Sequence, residues 1–214
     1  MTLLLAAMLS ILPVLAPARA SAPVDTAAER DVLIVTPDQR DGRLAATREA
    51  IGFWNDTLAE LGVPVRLHES QVLTPPAGVK PFENYTRQIW LMAGKPAPPE
   101  RRPPPPAALT ALGGDIVVFL SSQVIFSFAW PYEEPTRFFI GVQTDRSEPL
   151  TYPNVARNVI AHELGHALGL AHNGNTPTLM CGPCQHTVYR STEPRFFPLT
   201  PRERDRLRAL YAAQ

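Results

Sequence analysis

This 214-residue chain has no net charge: 20 basic and 20 acidic residues cancel. No block of Lys or Arg stands out, so there is no electrostatic case for a nucleic-acid partner. Beyond the first 20 residues, no run is long and apolar enough to span a bilayer. Cysteine is scarce. The two, Cys181 and Cys184, lie late in the chain, and none stands near the start to carry a lipid anchor. There is no internal repeat. The length suits one domain with a real core rather than two.

Proline, by contrast, is abundant: 24 residues, about twice the usual ~5%. Helix interiors exclude proline, so turns and extended connections must take most of them. The first 20 residues, MTLLLAAMLSILPVLAPARA, form an apolar run that ends in Ala18-Arg19-Ala20, a small-residue cleavage pattern. Pro13 and Pro17 interrupt it, and no Lys or Arg opens it. An uncleaved anchor is the alternative. The expectation is a signal peptide over 1–20 and an exported chain, secreted or periplasmic, over 21–214.

Periodicity then predicts the elements. Residues 31–37 (DVLIVTP) read as a strand. In 42–62, Leu44, Ile51, Trp54, Leu58 and Leu61 recur at helical spacing, Gly62 ends the helix and Pro64 bars its resumption. Residues 63–69 and 87–94 read as strands, 115–121 as the clearest buried strand, and 137–144 as another. Residues 154–170 predict a helix capped by Asn154, and 199–214 a final helix. There Thr200 caps, Pro201 takes the first position and Glu203 completes a capping box. The proline-rich stretch 95–114 is expected to be a surface excursion within one domain; a linker or a docking ligand are the other readings.

Three of the five histidines fall within HELGHALGLAHN, 162–173. A helix turns about 100° per residue, so His162 and His166 project from nearly one side, one turn apart. Two imidazoles at that spacing can share one zinc ion at ~2.0–2.1 Å. Glu163 lies beside them, placed to act as general base toward a metal-bound water. Gly169 can take positive φ, end the helix and turn the chain so that His172 reaches the same metal. Three neutral imidazoles leave a fourth position open, as a catalytic zinc site requires and a structural one does not. The bland alternative is a buried helix with incidental histidines, but two on one packed face need polar partners.

The full pattern, His162, Glu163, His166, Gly169 and His172, resembles the zinc signature of the metzincin metallopeptidases, most closely the matrixin-like branch. The resemblance implies an α+β catalytic domain with a mixed twisted sheet, a long helix, an active-site helix, a Met-turn and a C-terminal helix. It implies that Met180, in TPTLMCG, supports the metal site from below, and that an antiparallel lowest strand lines the cleft; 137–144 is the candidate for it. It also implies a protein or peptide substrate and one catalytic zinc. A structural calcium site is not legible. Matrixins carry a propeptide whose cysteine blocks the zinc; residues 21–30 are too short for one. Tyr189 is left out of the catalytic set, and His68 and His186 are given no role.

The expected function is an exported zinc endopeptidase, acting as a monomer away from membranes. Competing readings are a zinc hydrolase of another amide, such as a cell-wall cross-link, and a non-catalytic metal-binding module. Glu163 argues against the last, since holding zinc does not need it. For Cys181 and Cys184 there are three readings: a second zinc site with His186, a redox pair, and a structural disulfide. The disulfide is preferred, because export favours oxidation and Gly182-Pro183 suits a tight turn.

Overall fold

The computed structural model describes residues 27–75, 77–92, 101–133, 137–182 and 194–212. The proposed signal peptide, Cys184, His186 and Tyr189 lie outside them. Among the described residues, no helix is long and apolar enough to cross a membrane.

A five-stranded mixed sheet organises the α+β fold. In chain order come β1 (Ala28–Val35), α1 (Arg43–Glu60), β2 (Val65–Leu73), α2 (Lys80–Met92), α3 (Ala107–Thr110), β3 (Ile116–Leu120), β4 (Phe128–Glu133), β5 (Arg137–Val142), α4 (Pro153–Ala167) and α5 (Pro201–Tyr211). The strands lie in the order β2-β1-β3-β5-β4. The first four are parallel, and β4 runs antiparallel to β5 at the edge. All of β3 is buried, which explains its unbroken apolar run: a parallel strand is covered on both faces.

Alternation along the strands sorts two cores. Val32, Ile34, Ile116, Val118 and Ile140 face α1 and α4, where Trp54 and Leu164 are fully buried. Leu33, Val35, Val117, Phe119 and Phe139 face the other way, against Phe82, Tyr85 and Ile89 of α2. This second helical layer corrects the expected strand over 87–94. Phe82, Tyr85, Thr86 and Ile89 are buried at i, i+3, i+4 and i+7, a helical stripe that begins before that window. The described part of the proline-rich stretch lies on the same side. Arg102 sits over the Trp130 ring at 5.7 Å, and Leu109 of α3 is buried.

Two further expectations are corrected. The candidate cleft strand, β5, is flanked by β3 and β4 and has no free edge; the antiparallel edge strand is β4. Pro131 sits within β4, where an edge position tolerates the missing N–H. Asn154 does not cap α4. The helix starts one residue earlier, with Tyr152 at the N-cap and Pro153 in the first turn. Asn154 is instead buried, its Oδ1 accepting from the Arg195 N–H at 3.2 Å. By contrast, α5 opens with the Thr200–Glu203 capping box and Pro201, as read from the sequence.

Arg43 fixes the sheet end that borders the site. Only 3% exposed, it pairs with Asp41, and its Nη1 donates to the carbonyls of Ser121 at 2.7 Å and Gln143 at 2.6 Å. It thereby ties the C-terminal ends of β3 and β5 to the start of α1.

Candidate metal and active site

The three motif histidines converge. Their Nε2 atoms form a near-equilateral triangle: 3.1 Å between His162 and His166, 3.0 Å from each to His172. The tautomers follow from the opposite ring nitrogens. Nδ1 of His162 lies 2.7 Å from the Leu179 carbonyl, and Nδ1 of His166 lies 2.8 Å from the Leu170 carbonyl. A carbonyl only accepts, so each Nδ1 carries the proton and each neutral ring presents a bare Nε2. Bare nitrogens this close repel one another unless a cation or proton lies among them, so the donor set fits a zinc ion.

Local chain chemistry builds the triangle. Helix α4 ends in a Schellman turn: Gly169 N–H donates to the His166 carbonyl at 2.9 Å, and Leu170 N–H to the Gly165 carbonyl at 3.0 Å. Gly169 has φ +92°, and a Cβ there would also lie 2.8 Å from Leu210 of α5. After the turn, Asn173 N–H donates to the Met180 carbonyl at 2.8 Å and Gly182 N–H to the Asn173 carbonyl at 3.0 Å. This seats His172 against Gly182, where a Cβ would lie 2.8 Å from the imidazole Cγ. The Asn173 side chain donates to Glu203 Oε1 and to Thr178 Oγ1 at 3.0 Å. Glu203 therefore serves both the helix cap and the loop of the third histidine.

Met180 is fully buried. It packs on α4 at Gly165, where a Cβ would meet Met180 Sδ at 2.6 Å and Trp54 Cζ2 at 3.0 Å. Sequence reasoning did not single out Gly165, Glu203 or Asn173 for this contact set. For Gly165 a signal existed: glycine inside a helix costs about 1 kcal/mol against alanine, so it marks a packing need. The sign of a substitution should show this. Gly52→Ala in α1, where nothing lies within 4 Å of a new Cβ, is expected to stabilise by ~0.5–1 kcal/mol. Gly165→Ala is expected to destabilise by about 1–3 kcal/mol, because overpacking against Met180 and Trp54 outweighs the propensity gain. Paired thermal melts check the contrast.

Glu163 joins His162 and His172 in the lining of one cleft of about 340 Å³. The rest of the lining is mostly apolar and includes Leu150, Val155, Val159 and Leu179. Glu163 is 6% exposed, and burial pushes its carboxyl up to about 8. A hydrogen bond from the Ala129 backbone, in edge strand β4, partly offsets that. A cation held by the neighbouring imidazoles would favour the ionised form in the same direction. Burial lowers His162 to about 4 and lowers His166 as well.

In the metal-free chain these shifts oppose one another. The lowered imidazoles contribute stability above about pH 6.5, lost as pH falls toward the folded value. The raised carboxyl contributes stability at low pH, lost as pH rises through about 8. The expected outcome is that Glu163→Gln steepens the fall in melting temperature between about pH 7 and pH 5, since only the imidazoles then titrate. Melts in chelator test this; a shallower fall in the variant would contradict the assignment.

Cys181 is buried beside the cleft. Its expected partner Cys184 lies outside the described residues. His68 is remote from the cleft, exposed on β2 beside Asp31.

No protein-family model matches the sequence, and no curated relative matches it. Solved structures that the chain resembles include two at low identity. One is an archaemetzincin from Methanopyrus kandleri, at 14% identity and TM-score 0.45, covering 89% of this chain and 98% of that one. The other is described as a chaperone–substrate complex, at 16% identity and TM-score 0.45, covering 80% of this chain and 29% of that one. Likenesses this distant leave metal and activity to be argued from the residues.

Proposed function

We propose that this chain is an exported zinc-dependent endopeptidase. The observation that carries the reading is the triangle of imidazole Nε2 atoms with the Glu163 carboxyl in the same cleft. His162, His166 and His172 would hold the ion, which when bound supplies a Lewis acid that acidifies water and polarises a carbonyl. Glu163 takes a proton from the attacking water and delivers it to the leaving amine nitrogen. A cation held by the imidazoles would draw this buried carboxyl back toward the ionised form that accepts the proton. An extended peptide would align along β4, the edge strand among the described residues, and the apolar pocket would take one of its side chains.

Export rests on the apolar start that ends in Ala18-Arg19-Ala20, and a Cys181–Cys184 disulfide follows from export. Placement in the matrixin-like branch rests on the histidine motif and Met180. The test is hydrolysis of casein, gelatin and peptidoglycan with and without chelator. Chelator-sensitive cleavage of a protein substrate is expected. Cleavage of peptidoglycan alone would assign a different amide, and cleavage unaffected by metal removal would overturn the reading.

A further inference from the structure

Phe126 stands in the wall of the cleft that holds His162 and Glu163, yet its side chain is 45% exposed. It belongs to the segment 121–127, which leads from β3 into β4. This segment is firmly held. The Glu83 carboxylate of α2 accepts from Ser121 Oγ at 2.5 Å, and from Ser122 N–H, Ser122 Oγ and Gln123 Nε2, each at 2.7 Å. On the other side, Thr144 N–H donates to the Gln123 carbonyl and Gln143 N–H to Ser127 Oγ, each at 3.1 Å. Ile125 is buried between these anchors. Phe126 is therefore fixed in an exposed position by its neighbours.

Trp90 meets it there. It lies two turns along α2 from Glu83, is 37% exposed, and its ring is centred 6.5 Å from that of Phe126. Val124, 69% exposed, stands in the same held segment. The apolar lining of the cleft thus continues outward over Phe126 to Trp90. Rigid, exposed aromatic side chains continuous with a cleft are effective recognition elements, because they lose little conformational entropy when a ligand covers them.

We propose that Phe126 and Trp90 form a subsite for an aromatic or large aliphatic side chain of the bound polypeptide, at a position beyond the pair that flanks the reacting bond. Glu83 is the positioning residue that holds this rim. The inference rests on reading the cleft as a polypeptide-binding site. It makes the chain selective for extended substrates with a second apolar residue, in addition to the one that enters the apolar pocket.

Binding, not turnover, separates this inference from the reading beneath it. The zinc-loaded Glu163→Gln chain is titrated with labelled peptides that share one central sequence, by fluorescence polarisation. One series places Phe at successive positions away from the centre on either side, and the other places Gly there. At one register the Phe peptide is expected to bind about tenfold more tightly than its Gly counterpart. Adding Phe126→Ala or Trp90→Ala should remove that preference, so that the Phe and Gly peptides bind alike. Glu83→Ala should weaken the preference, and Glu83→Gln, which retains an acceptor oxygen, should restore part of it. Equal affinity for Phe and Gly peptides at every register, or a preference that survives both aromatic substitutions, overturns the subsite. Cleavage of the same peptides by the unmodified chain tests the endopeptidase reading separately.

Discussion

Glu163→Gln is expected to lower kcat by about two to four orders of magnitude while leaving zinc binding intact, because the proposed general base is lost and the three imidazoles are untouched. The geometry separates the two roles. The imidazole Nδ1 protons are held by the carbonyls of Leu179 and Leu170, and Glu163 takes no part in orienting those rings. Its carboxyl is instead buried beside β4 and bonded from the Ala129 backbone. The glutamine side chain has nearly the same shape, so packing in the cleft is preserved and the loss reports proton transfer. Turnover measured beside metal content decides it. Near-normal turnover in the variant would remove Glu163 from the chemistry without touching the metal site.

His166→Ala is expected to abolish metal retention, and turnover with it. Two ligands remain, and the carbonyl of Leu170 loses its donor. The thermal response should change as well. A ligand present at about a thousand times its Kd stabilises by ~4 kcal/mol, which for a chain of this size corresponds to about 8–16 °C in Tm. Chelator should lower the melting temperature of the unmodified chain by an amount of that order. It should leave that of His166→Ala unchanged, at or below the chelated value. Calorimetry with and without chelator measures both. A variant that still responds to chelator would place the stabilising ion elsewhere.

Much of the fold was legible because local and tertiary demands agree. The stripe from Leu44 to Leu58 faces the core as α1, with Leu61 at its C-cap, and the unbroken apolar run of β3 reflects cover on both faces. Thr200, Pro201 and Glu203 open α5 by chemistry confined to a few residues. Where the reading failed, the deciding information lay further off. Helix α2 shows its stripe only when Phe82 and Tyr85 are read together with Ile89, and a window starting at residue 87 contains one of the three. Strand β4 was hidden by Pro131, which is tolerated because the strand lies at the sheet edge, a property of topology and not of the segment.

The same division holds at the candidate site. The spacing of His162, His166 and His172 is a local geometric statement, and the three side chains do meet. The parts that hold them there come from a distance. Gly165 matters because Trp54 and Met180 press on it, and Glu203 because Asn173 reaches it from the loop after the third histidine. The approach of β4 to Glu163 through Ala129 depends on strand order, which no short pattern encodes.

The most direct measurement is the metal content of the purified chain after extensive dialysis, beside that of the His162→Ala, His166→Ala double variant. The account predicts one zinc per chain in the first and none in the second. Stoichiometric zinc retained by the double variant, or an unmodified chain that takes up no zinc when it is supplied, would contradict it.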